Sequence, residues 1–367
     1  MNQAGRLANL DEVYGNLYGI ARWSIDAILE QGQLPVKEIH PANYHKIQKL
    51  YPDSCAVLVL QDGGDNCRVE ASGVRAAEDA AFYNSISLDG FDVILHSSKS
   101  AGRDTFIEDS HIAIQAYLGG RDRFPHPAHI DKLNGEGYEK VAEHFTEHER
   151  PTTRDFHRLS EGFFRDTIST LAVDSSCLEI GPGQGWLRKR FRWPNVRYET
   201  QELSSSMAAV GGAETERIAK GIGSARAMPF SSSRFDYVLA SLGDGYCYPA
   251  ALAEIRRVLK SDGLFYFTAP SGVWAQGLRF PEDRDKTRFS LPNDETAEVY
   301  SFAFTLEELA DLFKQCGFRI AHAMEFCGDR LGDGWEASVA VRESSRKLGR
   351  ELPSLPIINA IVALQDR

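Results

Sequence analysis

Cys177-Leu178-Glu179-Ile180-Gly181-Pro182-Gly183-Gln184-Gly185-Trp186 is the stretch that decides how this chain folds. A short apolar run holding one acid breaks into glycines at alternate positions, then resumes as the helix-compatible segment Trp186-Leu187-Arg188-Lys189-Arg190-Phe191. The pattern is strand, tight turn, helix start. Glycines there admit positive φ and let the backbone approach a ligand with no Cβ in the way. The helix start behind them offers free N–H groups to a polar molecule. Taken alone the loop leaves its ligand open, because such turns also serve dinucleotide enzymes and purely structural bends.

The segments downstream narrow the choice. About twenty residues on, Tyr198-Glu199-Thr200-Gln201-Glu202-Leu203-Ser204-Ser205-Ser206-Met207 reads as a second strand whose terminal acid could grip ribose hydroxyls. Gly223-Ser224-Ala225-Arg226-Ala227-Met228-Pro229-Phe230 comes next, then Arg234-Phe235-Asp236-Tyr237-Val238-Leu239-Ala240-Ser241. Ala253 to Pro270 reads as helix, turn and strand.

In this order the blocks resemble the class I S-adenosylmethionine-dependent methyltransferases. Pro229-Phe230, Phe235-Asp236-Tyr237-Val238 and Glu254-Ile255-Arg256-Arg257-Val258-Leu259-Lys260 carry the branch-specific part of the resemblance, which runs from about Gly135 to Arg342. It implies an α/β fold with a Rossmann-like seven-stranded sheet and S-adenosyl-L-methionine as cofactor. On that resemblance Gly181, Gly183 and Gly185 pass beneath the methionyl and ribose portions, and Glu179 orients the loop or the amino group. Glu202 takes the ribose diol, Leu203 and Met207 lie beside the adenine, and Ser241 ends the fourth strand of the site. The adenine amino group usually meets an aspartate where this chain has Ser224; the serine can accept one hydrogen bond, and the Ala225 N–H can serve a ring nitrogen. Tyr138, on a helix ahead of the first strand, would reach the methionyl part or pack as a core aromatic.

A sulfonium donor leaves the protein to align donor and acceptor, exclude water and remove a proton. Asp244 and Tyr246 lie in the loop after the fourth strand, at the carboxyl edge where open α/β sheets bind ligands. They are the catalytic candidates, together with His157, which like His144 and His148 qualifies by residue type. Ser271 to Ser301 is too long and aromatic for a plain connection, which suggests a lid or binding loop. Its Arg279, Arg284, Lys286 and Arg288 would suit an anionic acceptor, while the interspersed Glu282, Asp283 and Asp285 would suit a self-paired loop. The acceptor expected is a small molecule. No Asn-Pro-Pro-Tyr run of amino-directed nucleic-acid methyltransferases occurs, no metal-ligand spacing occurs, and a net charge of −11 gives no support for a polyanion partner.

A chain of 367 residues suggests two domains. Strands at Cys55–Leu60 and Phe91–Leu95 alternate with helices in residues 1–120, an α/β pattern. There "EVYGNLYGIARWSIDAIL", "HPANYHKIQKLYPDSCAVLVL" and "DGFDVILHSS" resemble the second half of a guanylate kinase, a P-loop nucleoside-monophosphate kinase. In that family the pair standing here as Tyr18-Gly19 belongs to the monophosphate site. No GxxxxGK[ST] occurs, and the lid segment keeps only Arg68 and Arg75, so phosphoryl transfer by this domain alone is not expected. A scaffold or homodimer module, a nucleotide-sensing remnant, and one half of a kinase completed by a P-loop-bearing partner chain all stay open. The fusion makes a nucleotide-derived acceptor attractive.

Gly119 to His129 mixes glycine, proline and charge without periodicity, so residues 121–134 read as a linker, 135–345 as the methyltransferase domain and 346–367 as a C-terminal extension. Gly317–Ile320 and Trp335–Val341 read as the last two strands, with a helix from Leu355 onward. Six scattered cysteines, no signal-like N-terminus and no membrane-length apolar run point to a cytoplasmic protein.

Overall fold

The computed structural model describes residues 7–13, 16–31, 44–61, 87–97, 103–145, 150–168, 171–193, 195–210 and 219–366, with the single positions 33, 35, 36 and 39. By compactness the chain divides into residues 1–59 with 69–95, and residues 60–68 with 96–367. In the first unit β1 (Leu7–Val13) and β2 (Asn16–Ala21) form an antiparallel hairpin with Leu10 opposite Gly19, followed by helices Arg22–Glu30 and Tyr44–Leu50. Tyr51 Oη donates to Asp26 Oδ1 at 2.7 Å, and the Tyr44 ring packs 5.0 Å from that of Phe91. Strands β3 (Val57–Gln61) and β4 (Val93–Ser97) pair with each other. Tyr18-Gly19 sits in β2; Arg68 and Arg75 lie outside the described residues.

The second unit is built on a seven-stranded sheet. In chain order its strands are β5 (Ser176–Ile180), β6 (Arg197–Glu202), β7 (Ala219–Ile222), β8 (Phe235–Ala240) and β9 (Leu259–Pro270). A hairpin of β10 (Lys286–Ser290) and β11 (Thr296–Tyr300) stands outside the sheet, which is completed by β12 (Phe318–Cys327) and β13 (Pro356–Gln365). The order across the sheet is β12-β13-β9-β8-β5-β6-β7. Strands β5 to β9 run parallel, whereas β13 is antiparallel to both its neighbours. The strand order reverses between β5 and β8, so the loops after β5, β6 and β8 open into one crevice.

Both faces of the sheet are covered. Helices Pro249–Val258 and Leu306–Gln315 bury Ile255, Leu309 and Phe313 on one side; Pro151–Ile168 and Val339–Leu348 bury Leu159, Phe163 and Val341 on the other. Phe313 stacks on Phe265 of β9 at 5.6 Å, and burying such a ring contributes about 2–3 kcal/mol.

Three expectations are corrected. Helix Arg103–Gly120, assigned by sequence to the first domain, belongs to the second unit, where Asp109 pairs with buried Arg256. The stretch 121–134 is not all linker: helix Pro127–Val141 begins in it, with Pro at its first position and the His126 ring accepting from Ala128 N. The two C-terminal segments exchange roles. Residues 339–348 are helical, capped by Ser338 and closed by left-handed Gly349, while Pro356–Gln365 is a strand in the sheet interior. The run Ile357, Ile358, Ile361, Val362 is β-branched and buried on both faces, where periodicity cannot separate helix from strand.

Candidate functional site

The loop after β5 turns through three left-handed glycines, Gly181 (φ 61°), Gly183 (φ 53°) and Gly185 (φ 71°), and Gly185 caps helix Trp186–Arg190. A Cβ on Gly181 would lie 2.5 Å from Tyr246 Oη, so only glycine lets the loop after β8 close on it. Glu202, at the end of β6, holds this bend. Its Oε2 accepts from Gly183 N at 3.0 Å, and its Oε1 accepts from Leu203 N at 2.8 Å and Ser204 N at 3.1 Å. Burial pushes the Glu202 carboxyl up, and those three N–H groups pull it back toward ionisation.

Around this bend lies a cleft of about 470 Å³. Glu179, Gly181, Gly183, Glu202, Leu203 and Met207 line it from the strand ends; Tyr138, Asn134 and Phe145 line it from the preceding helices, and Ser241, Leu242 and Tyr246 from the loop after β8. His157 also lines it, with its ring stacked 4.6 Å from that of Trp186. Glu179 is 2% exposed and accepts a hydrogen bond from Tyr198 Oη. Burial pushes its carboxyl up to about 7; the Tyr198 hydroxyl opposes this and Glu202 adds to it. Ser241 Oγ and Trp186 Nε1 are buried in this cleft with no hydrogen-bond partner among the described residues. Each such group costs about 1–3 kcal/mol unless a ligand satisfies it.

A second chamber, of about 360 Å³, shares Tyr138, Phe145, Thr153 and Leu242 with the first. The β10–β11 hairpin forms part of its wall. Phe289 lies 6.2 Å from the Tyr138 ring and 5.8 Å from that of Phe145, and Asn134 Oδ1 accepts from Tyr300 N at 2.6 Å. Asp244 lines this chamber and is 8% exposed. Burial pushes its carboxyl up, against the opposing effects of the Ser301 hydroxyl and the nearby Arg279 guanidinium. Residues 271–301 thus act as a wall, and their cations are engaged within it. Arg279 donates to Thr287 Oγ1 (2.8 Å), Ser301 Oγ (2.7 Å) and the Arg284 carbonyl (2.8 Å). Arg288 pairs with Asp283 (3.2 Å) and Glu298 (3.0 Å), and Lys286 with Glu298 (2.6 Å).

Residues 178–267, which span the glycine bend, Glu202 and the loop after β8, match the family model for the methyltransferase domain. The chain carries a methyltransferase domain. The cleft suits S-adenosyl-L-methionine as methyl donor: glycines clear the backbone, Glu202 presents a carboxylate, and Ser241 Oγ and Trp186 Nε1 have no partner among the described residues. The methyltransferase domain is also similar to solved structures at low identity. The DhpI-SAM-HEP complex is 12% identical, covering 65% of this chain and 99% of that one at TM-score 0.46. The YcgJ protein from Bacillus subtilis is 17% identical, covering 57% and 99% at TM-score 0.39. Elsewhere, a guanylate kinase from Symbiobacterium thermophilum is 30% identical over 80 residues, which is 21% of this chain and 38% of that enzyme.

Most of the residues singled out by sequence converge on the methyltransferase cleft: Tyr138, Glu179, Gly181, Gly183, Glu202, Leu203, Met207, Ser241, Tyr246 and His157 all line it. Others fall elsewhere. Ser224 and Ala225 are not in the lining. The Ser224 hydroxyl accepts from Arg226 N at 3.1 Å, and Ala225 is buried beside Arg226, which is paired with Asp131 at 2.7 Å. Asp244 faces the second chamber, His144 faces neither, and His148 lies outside the described residues. Sequence reasoning missed Asn134, Phe145 and Thr153. Asn134 had a signal, since it stands on the buried stripe Ile130, Asn134, Gly137, Val141 of its helix. Among the described residues no His, Cys, Asp and Glu cluster could hold a metal ion, and no helix is long and apolar enough to cross a membrane.

Proposed function

We propose that the methyltransferase domain passes a methyl group from S-adenosyl-L-methionine in the first cleft to a small molecule in the second chamber, with Asp244 as proton acceptor. One observation carries this reading: the two cavities meet at Tyr138, Phe145, Thr153 and Leu242, and a buried carboxylate stands on the far side. The cofactor, when bound, supplies a methyl group already activated by positive charge on sulfur.

The chain's residues supply the rest. Glu202 has lone pairs left beyond its three backbone contacts and would accept from the ribose hydroxyls. Glu179, close to neutrality in the empty cleft, would ionise against a cationic amino group. Aromatic rings at the junction keep water from the reacting centre. Tyr246 is less suited to take a proton, because burial pushes its phenol well above the ordinary range. His157 lines the cofactor cleft alone, which leaves Asp244 nearest the acceptor.

Calorimetric titration with S-adenosylhomocysteine, followed by an assay of its release over a metabolite extract, tests the proposal. Binding with turnover supports it; binding with no turnover on any fraction favours a non-catalytic, cofactor-binding regulator. A nucleotide-derived acceptor draws support only from the guanylate kinase likeness, and since the chain spans 38% of that enzyme, any kinase activity would need a P-loop partner. Guanosine monophosphate therefore belongs among the acceptors tried.

A further inference from the structure

The second chamber is selective in what it offers a guest. Phe145, Phe156, Trp274, Phe289, Pro270 and Val299 make its wall largely apolar and aromatic. Its arginines already have partners. Arg279 and Arg288 are bonded within their own loop, and Arg150 donates to the Ser290 carbonyl at 2.9 Å while its guanidinium lies 5.2 Å over the Phe289 ring. Against these stand one buried carboxylate, Asp244, and one buried ring N–H. Trp274 Nε1 has no hydrogen-bond partner among the described residues, although Trp274 is only 7% exposed.

That indole is held rather than loose. Its ring meets Phe156 edge-on at 4.9 Å, its carbonyl accepts from Ser344 Oγ at 2.7 Å, and the short helix that carries it is capped by Ser271. A fixed buried N–H left unmet is unfavourable, and an oxygen on a ligand would meet it. Leu242, in the wall shared by both cavities, adds a second mark of function. It adopts the left-handed region (φ 54°, ψ 48°), whereas the other non-glycine residues that do so among those described are Asp174, Asn195, Ser233 and Asp294. The polar types tolerate that region; a leucine there is strained, a feature that gathers at binding sites.

Resting on the transfer proposed above, we infer that the acceptor is an uncharged hydroxyaromatic compound with a second oxygen, its hydroxyl set against Asp244, its ring among Phe145, Phe156 and Phe289, and its second oxygen on Trp274 Nε1. An anionic acceptor would bring a second negative charge against a buried carboxylate, and the Arg279 guanidinium beside it already directs its N–H groups to Thr287, Ser301 and the Arg284 carbonyl. In the reaction the acceptor's O–H bond breaks and its proton goes to the Asp244 carboxylate. The oxygen forms a bond to the methyl carbon as the carbon–sulfur bond breaks, giving an aryl methyl ether, S-adenosylhomocysteine and a proton returned to water. Trp274 takes no part in bond making; it selects the acceptor.

The test uses the full chain saturated with S-adenosylhomocysteine and four ligands titrated calorimetrically: 4-hydroxyacetophenone, 4-ethylphenol, 4-hydroxybenzoate and guanosine monophosphate. Turnover of each with S-adenosylmethionine is measured alongside. The ketone is expected to bind best and to be methylated on its phenolic oxygen. Trp274→Phe should weaken the ketone about tenfold, mostly in KM, and leave the ethyl compound within about twofold. Asp244→Asn should lower kcat by about 100-fold while the ketone's Kd moves less than about threefold. S-adenosylhomocysteine affinity reports whether each variant is folded. If the benzoate or the nucleotide is preferred, or if Trp274→Phe weakens ketone and ethyl compound alike, the inference is overturned while the cofactor site stands. Failure of the wild type to bind S-adenosylhomocysteine would remove the transfer reading, and the acceptor with it.

Discussion

Glu179 should make cofactor binding depend on pH over the neutral range. In the empty cleft its carboxyl is pushed up to about 7, mainly by burial, with the Tyr198 hydroxyl and the Arg188 guanidinium opposing and Glu202 adding. A bound cationic amino group would favour the ionised form, so binding must expel a proton wherever the free protein holds one. If the bound carboxyl titrates well below the assay range, apparent affinity falls by the fraction of free protein already ionised. That fraction is about nine-tenths near pH 8, one-half near pH 7 and one-tenth near pH 6, so affinity should drop about tenfold from pH 8 to pH 6. Titration calorimetry in buffers of different ionisation enthalpy should show about half a proton released per cofactor near pH 7.

The same group has a consequence for stability, of opposite sense to a salt-bridged acid. Its folded value, about 7, lies above the ordinary 4.5, so between those values the folded chain holds a proton that the unfolded chain has lost. Its favourable contribution is complete below the unfolded value and is lost as pH rises through the folded one; the difference is about 3 kcal/mol for a fully buried group. Glu179→Gln, which fixes the neutral form, should therefore raise Tm near pH 8 and flatten the affinity profile. Tyr198→Phe, which removes the donor that favours ionisation, should shift the midpoint of the profile upward. A wild-type affinity that stays level from pH 6 to pH 8, or a slope that survives in Glu179→Gln, would refute the reasoning.

Other substitutions probe the bend and the wall. Gly181→Ala places a Cβ 2.5 Å from Tyr246 Oη at a φ of 61°, and should weaken S-adenosylhomocysteine at least about tenfold by calorimetry, with a lowered Tm. Glu202→Ala leaves Gly183, Leu203 and Ser204 N–H groups without their acceptor and should cost about 2–4 kcal/mol in thermal unfolding as well as abolish cofactor binding; Glu202→Gln should recover part of the stability but not the affinity. Gly137→Ala sets a Cβ 2.6 Å from the Glu298 carbonyl and so must displace the β10–β11 hairpin, raising acceptor KM while leaving cofactor Kd within about threefold.

The first cleft was legible because its residues stand at the ends of successive strands. Gly181, Gly183, Glu202 and Ser241 occupy places fixed by strand, turn and helix signals alone, and the structure puts all of them in one cleft. Ser224 and Ala225 miss it for a local reason: their loop turns onto the buried Arg226–Asp131 pair, a contact across 95 positions that no short window can reveal. The C-terminus failed differently. A run of isoleucine, valine and alanine that is buried on both faces has no polar stripe, so Pro356–Gln365 gave no period by which to tell strand from helix.

The acceptor chamber fails to declare itself for a stronger reason. Its wall draws on positions as far apart as Phe145, Leu242, Trp274 and Phe289, each on a different element and none in a motif. The glycine bend and the acid at the next strand end are local features of strand, turn and helix, and so leave a pattern in sequence. The wall of the second chamber is set by pairings that no motif announces: Arg279 with Ser301, Arg288 with Glu298, Phe289 with Tyr138. Those pairings favour one of the two readings of the segment. Counted along the chain, its four basic residues left an anion site and a self-paired loop both open; in the fold Lys286 and Arg288 pair with Glu298 and Asp283, Arg279 donates to Thr287 and Ser301, and Arg284 reaches Glu308 on the next helix at 3.9 Å. Charge composition of a loop therefore says little about its ligand until the pairing inside the loop is known.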